Sequence, residues 1–173
     1  MSDYKKKLKN IKAFVFDVDG VFTDGKIFVL PDGRQVRNMN VKDGYAVHFA
    51  VKKGFPIAII TGGKCESVRV RFEELGVKDI YIASHNKTLD FRRFLDKYSL
   101  TENDILYMGD DLPDYPVMQI VEIATCPCDA APEIKKISHY VSHFRSGEGC
   151  VRDIIEQTLK VQDKWFDVDA FVW

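Results

Sequence analysis

No stretch of the 173-residue chain reaches the roughly 20 consecutive apolar residues that a membrane-spanning helix requires. The basic start, MSDYKKKLKN, leads into no signal-type apolar run before Asp17 interrupts. The expectation is a cytoplasmic protein with no membrane partner. An excess of one charge is also lacking: 25 basic residues face 26 acidic ones, for a formal charge of −1. No global field therefore draws nucleic acid or anionic lipid, and any bound anion must be held by local design. Cysteine is sparse. Cys65, Cys126, Cys128 and Cys150 lack zinc-ligand spacing, and CPC is not CxxC, so they read as structural or incidental thiols. His139 and His143 would share a face on a helix, but ISHYVSHF is β-branched and aromatic and reads as a strand, which argues against a metal pair. No repeat, low-complexity tract or compositional shift marks a second domain, so residues 1–173 read as one domain, with an apolar content of 46% that suffices for a core.

What the chain does have is an alternation of short apolar runs with longer amphipathic stretches, the pattern of a parallel sheet wrapped by helices. AFVFD (13–17), PIAIIT (56–61), DIYIA (79–83), DILYMGD (104–110) and the shorter VEIAT (121–125) read as strands. Residues 45–53, 65–75, 88–98 and 113–119 read as helices, with Gly54 and Gly76 suited to stop the first two. The fold class is thus α/β, a single doubly wound, Rossmann-like sheet. One segment departs from it: KIFVLPDGRQVRNMNV has two extended runs around a turn at Asp32-Gly33, so residues 24–42 are expected to form a protruding β-hairpin. Residues 161–173 are aromatic without a clear period and read as a tail that packs somewhere.

In open parallel sheets, ligands collect beyond the carboxyl ends of the strands. There the sequence places Asp17 and Asp19, Thr61 and Gly62, and Asp110 and Asp111, while Lys87 begins the helix after the 79–83 strand. Carboxylates gathered on one rim need a cation. An all-oxygen set from Asp17, Asp110 and carbonyls suits Mg²⁺, which keeps waters and accepts phosphate oxygens. The other groups then fit phosphoryl transfer. Asp17 can attack phosphorus, and Gly20 lets the chain turn so that Asp19 can protonate the leaving oxygen and later take a proton from water. Thr61 and neighbouring amides can donate to the phosphoryl oxygens, and Lys87 can balance their charge.

DVDGVFTDG, TGGK, Lys87 and GDDLPD, in that order, resemble the four motifs of the haloacid dehalogenase superfamily of phosphotransferases. The hairpin, GDDLPDYPVM and GEGCVRDII are similar to its capless subfamily of 3-deoxy-D-manno-octulosonate 8-phosphate phosphatases, from about Lys12 to Leu159. The resemblance implies a fold without a cap domain, Asp17 as nucleophile, Asp19 as acid/base, and Thr61, Gly62 and Lys87 at the phosphate. It implies magnesium held by Asp17, the Asp19 carbonyl and Asp110, with Asp111 supporting it through water. It also implies a homotetramer whose hairpins form a central barrel and whose subunits cover each other's sites, acting on a small acidic sugar phosphate on the way to lipopolysaccharide. Arg71 matches an arginine that reaches a neighbour's site, Lys42 and Asp43 a substrate-facing loop, and residues 147–152 a segment that closes over a site. Arg71 or Lys64 would meet the substrate carboxylate. Asp114 is placed to orient partners.

Two alternatives stay open at this point. The sister enzymes for 2-keto-3-deoxynononate 9-phosphate resemble TGEK where this chain has Gly63, which favours the eight-carbon substrate, while Glu148 looks more like the sister. A signalling receiver domain has a similar sheet, acid cluster, Thr and Lys, but no acid two residues beyond its phosphoacceptor. Asp19 argues against it.

Overall fold

The structure is a computed structural model that describes residues 4–172. The elements run in the order α1 (Tyr4–Lys7), β1 (Ala13–Phe16), β2 (Phe28–Val29), β3 (Gln35–Val36), α2 (Val41–Lys52), β4 (Ile57–Ile60), α3 (Glu66–Glu74), β5 (Asp79–Tyr81), α4 (Lys87–Tyr98), β6 (Ile105–Met108), α5 (Tyr115–Met118), β7 (Ile123–Cys126), α6 (Pro132–Ile137), β8 (Tyr140–Val141) and α7 (Cys150–Val161). Six strands form one sheet in the order β5-β4-β1-β6-β7-β8, and every pairing in it is parallel.

β1 shows why the sheet is covered on both faces. Side chains alternate along a strand, and all four residues of AFVF are buried. Phe14 and Phe16 pack into the layer that includes Val47, Phe49, Phe72 and Ile154. Ala13 and Val15 face the opposite layer, with Phe91, Phe94, Val117 and Ile134. β1 lies between β4 and β6, with Phe14 opposite Ile57 on one side and Leu106 on the other. The chain winds away from β1 in both directions, so a crevice opens beyond the ends of β1 and β6.

β2 and β3 form a separate antiparallel pair, turned at Pro31-Asp32-Gly33 as expected. Gly33 has φ +81°, and Asp32 accepts from the Arg34 amide at 3.0 Å. Gly54 and Gly76, both at φ +86°, follow α2 and α3 as the helix stops expected of them.

Some boundaries differ from the sequence reading. α2 starts at Val41, because the Asn40 side chain caps the Lys42 amide at 2.8 Å, so Lys42 and Asp43 lie in a helical turn. Gly44 hides that start, since glycine disfavours helix interiors. A Cβ there would meet Arg71 Nη2 at 2.6 Å. The 113–119 helix is a short 3-10 turn followed by α5, and α6 and α7 are helices beyond those expected from the sequence. α7 closes the back of the molecule, burying Val151, Ile154, Ile155 and Leu159.

The tail folds onto its own chain. Trp165 is buried edge-on against Tyr45 and Phe49, and Lys53 holds Asp167 and Asp169 at 2.6 Å each. Trp173, the last tail residue, lies outside the described residues. All four cysteines are free thiols. His139 lies just before β8 and its Nδ1 accepts from the Ala124 amide, while His143 is exposed.

Candidate active site

Immediately after β1 the chain makes a tight turn: the amides of Val21, Phe22 and Thr23 all donate to the Val18 carbonyl. Thr23 Oγ1 accepts from the amides of Gly20 and Gly25. Gly20 has φ +84°, and a Cβ at this position would overlap the Asp110 carboxylate. Only glycine lets the backbone pass so close to Asp110. The turn leaves Asp17 buried at the end of β1 and Asp19 half-buried beside it.

Carboxylate oxygens of Asp17, Asp110 and Asp114 lie within 4.8 Å of one another, and no other such group of possible metal ligands occurs among the described residues. Lys87 reaches into the group from the first turn of α4, 2.9 Å from Asp17 Oδ1 and 2.7 Å from Asp114 Oδ1. Asp114, fully buried, also accepts from the Tyr107 hydroxyl at 2.6 Å and, through Oδ2, from the Asp110 amide at 3.1 Å. With both oxygens engaged, Asp114 serves as the bracket that holds Lys87 and the Asp110 backbone. Gly109 is needed for that bracket, because a Cβ there would overlap the Asp114 side chain.

Three carboxylates around one ammonium leave excess negative charge in a buried place. Burial, and then the charge of Asp114, push Asp110 up to about 7 and Asp17 up to about 8. Lys87 is held above its ordinary value: burial pulls it down, and the charges of Asp17 and Asp114 more than offset that. A divalent cation would relieve the excess. Asp17 and Asp110, whose carboxylates are not bracketed as that of Asp114 is, are the pair suited to hold it. Asp111 is exposed, caps the Leu112 amide at 2.8 Å, and adds its charge to the field at Asp110.

Thr61 is buried at the end of β4, and its Oγ1 accepts from the Gly63 amide at 3.1 Å, which leaves the hydroxyl proton to donate. The loop is strapped to the next strand's exit: Ser84 donates to the Thr61 carbonyl and Ala83 to that of Gly63. Gly62 is exposed at the rim.

The other residues singled out in the sequence lie outside this cluster. Lys64 and Arg71 line a cavity of about 730 Å³ between the hairpin and α3. Asp43 is fully buried and accepts from the Arg152 amide in the first turn of α7 at 2.7 Å. It therefore ties α2 to α7 and lies outside the Asp17 cluster. Lys42 and Glu148 line a different cavity, with Tyr140 and Arg152. The 147–152 segment packs at the root of the hairpin: the Gly147 amide donates to Val21, and a Cβ on Gly147 would touch the Thr23–Asp24 backbone at 2.9 Å.

Sequence reasoning missed Arg37. From just beyond β3, its Nε and Nη2 donate to the two oxygens of Asp19, at 2.7 and 2.9 Å. Hydrogen bonding to Asp19 raises the guanidinium pKa, so the charge on Arg37 is secure. Only a basic residue on the hairpin's return arm marked this contact in the sequence.

The chain is 36% identical over 158 residues to the 3-deoxy-D-manno-octulosonate 8-phosphate phosphatase of Salmonella typhi, covering 91% of this chain and 84% of that protein. It is 35% identical to the phosphatase of the same name from Escherichia coli K12, covering 94% and 87%. Among solved structures, that phosphatase from Moraxella catarrhalis, in complex with a magnesium ion, a phosphate ion and a KDO molecule, superposes with a TM-score of 0.91 at 30% identity, covering 99% of this chain and 97% of that one. No family model matches the chain.

Proposed function

The chain belongs to the 3-deoxy-D-manno-octulosonate 8-phosphate phosphatase family of the haloacid dehalogenase superfamily, and on that premise we propose that it hydrolyses this eight-carbon sugar phosphate to the free sugar and inorganic phosphate with magnesium. The observation that carries the reading is the buried group of Asp17, Asp110 and Asp114 around Lys87, beside Asp19 and Thr61.

Asp17 and Asp110, with the Asp19 carbonyl, would hold the magnesium ion. When bound, the ion neutralises phosphoryl charge and relieves the repulsion among the carboxylates. Asp17 is the nucleophile. Its oxygen bonds to phosphorus as the ester P–O bond breaks, and Asp19 gives its proton to the leaving sugar oxygen. Water then attacks the aspartyl phosphate, the bond to Asp17 breaks, and Asp19 takes the proton released from water. Lys87 and the Thr61 hydroxyl bind the phosphoryl oxygens, with Gly62 supplying close backbone approach.

The nine-carbon alternative is tested by the surroundings of Gly63. A Cβ at this position already lies 3.2 Å from Arg37 Nη2, 3.3 Å from Thr61 Oγ1 and 3.4 Å from Asp19 Oδ2. A glutamate, as in the sister pattern, would have to displace Arg37. Glu148 does not meet the cluster in this chain. The crowding at Gly63 supports the eight-carbon ester. Phosphate release from both esters, measured in parallel, tests this: kcat/KM should favour the octulosonate, and a preference for the nononate overturns the assignment.

The protein is proposed to be a cytoplasmic homotetramer. No helix among the described residues is long and apolar enough to cross a membrane. Phe28, Val29 and Val36 stand exposed on the hairpin, an apolar edge that unpaired strands leave open to another copy. In such an assembly Arg71 would reach a neighbouring copy's site, and Arg71 or Lys64 would meet the substrate carboxylate. Equilibrium sedimentation checks the state; a monomer at micromolar concentration refutes it.

A further inference from the structure

Arg37 has no part in the chemistry above, yet it is joined to that chemistry more closely than any other group outside it. Its side chain is 4% exposed, whereas that of Asp19 is 30% exposed. The guanidinium therefore covers one side of the carboxylate and leaves the other open. Thr23 Oγ1 stands 3.5 Å from Asp19 Oδ1, too long to fix the side chain alone. The two-pronged contact from Arg37 is thus what sets the rotamer of Asp19, and a planar fork on a planar carboxylate fixes direction as well as distance.

The contact is not free of cost. Arg37 Nη1 is buried with no hydrogen-bond partner, and a buried donor left unpaired is destabilising. Pinning the hairpin down would need no such charged group. Gly63 adds an independent sign: its missing side chain leaves room where Arg37, Thr61 and Asp19 converge.

We propose that Arg37 is a positioning residue for the reaction: from the hairpin it holds the Asp19 carboxylate so that its open side faces the oxygen that gains and loses the proton. This rests on the phosphatase reading above. Proton transfer needs the carboxyl within hydrogen-bond reach and correctly directed; the fork takes one lone pair on each Asp19 oxygen and leaves the outward ones to carry the proton to the leaving oxygen and to take it from water, and without the fork nothing of comparable strength fixes that direction. The hairpin thereby becomes part of the catalytic apparatus as well as a candidate contact between copies.

The test is a double-mutant cycle on the full-length protein with magnesium and the octulosonate ester, using R37M, D19N and the double variant. R37M is expected to lower kcat by about 30-fold or more while KM changes less than about threefold, since general acid–base catalysis contributes about 10²- to 10⁴-fold. In the D19N background the same change should cost less than about twofold, because Arg37 acts only through Asp19. R37K, which keeps the charge but loses the fork, should recover part of the lost kcat. Added guanidinium at low concentration should restore part of it to R37A, whose truncation leaves room for the ion, which a merely structural defect would not allow. Equal losses in both backgrounds, an unchanged kcat in R37M, or a raised KM with kcat preserved would each overturn the proposal. Should R37M fail to fold, R37K carried through the same cycle decides between these outcomes. An inactive wild type would instead defeat the phosphatase reading itself.

Discussion

Filling the carboxylate cluster with a divalent ion should expel protons, and the number follows from the site. Asp110 is pushed up to about 7 and Asp17 to about 8, and two groups this close share their titration, so near neutral pH the pair holds more than one proton. The ion requires both as carboxylates, so binding at pH 7 should release between about one and two protons. The release should shrink as the pH rises beyond both values. Because the slope of log affinity against pH equals the protons released, magnesium affinity should rise about tenfold or more from pH 6 to pH 7 and level off above pH 9. Calorimetric titration with magnesium in two buffers of different ionisation enthalpy counts the protons directly. Asp43→Asn is the control: Asp43 lies at the α2–α7 contact, so the variant should release the same number. A release near zero from pH 6 to 8, with an affinity flat in pH, would refute the claim that buried, mutually repelling carboxylates form the metal site.

Other outcomes follow from single contacts. Asp114→Asn should cost about 3 kcal/mol of stability by chemical denaturation, the range for breaking a buried charged pair, and should remove most activity, because Lys87, Tyr107 and the Asp110 amide lose their shared acceptor. A stable, active variant would show that the bracket is dispensable. Gly20→Ala should abolish magnesium binding by calorimetry, since the new methyl occupies the place of the Asp110 carboxylate; the positive φ adds about 1 kcal/mol of strain. Asp43 is raised to about 6, first by burial and against the bonds it accepts from α7. With the native value above the ordinary one, its stability contribution is full below pH 4 and is lost as the pH rises to about 6, about 3 kcal/mol in all. Asp43→Asn, which can still accept from the Arg152 amide, should therefore gain on wild type in melting temperature between pH 4 and pH 7. Parallel curves would refute it.

The parts of the fold visible in the sequence were those with a strong period or strong punctuation. The AFVF and IAII runs and the PDG turn carry their own geometry, as do the glycines after α2 and α3. α6 is too short to show a period, with Ile134 its one buried residue, whereas α7 carries a helical period at Val151, Ile154, Ile155 and Leu159 that the sequence does display; Gly44 concealed the start of α2. The site divides in the same way. Asp17, Thr61, Lys87 and Asp110 sit at strand or helix ends, where position alone brings them together. Arg37 reaches Asp19 only through the course of the hairpin, which no local pattern encodes. Asp43 shows what a motif leaves out: its place in the sequence suggests substrate, and only the packed chain reveals that it is also buried against α7.

The central claim is that Asp17 attacks phosphorus. Rapid acid quenching during turnover of the octulosonate ester with magnesium, followed by peptide mass mapping, should find a phosphoryl group on the peptide bearing Asp17 in the wild type, and none in Asp17→Asn. Steady phosphate release by Asp17→Asn at the wild-type rate, with no phosphorylated peptide in either protein, would contradict it.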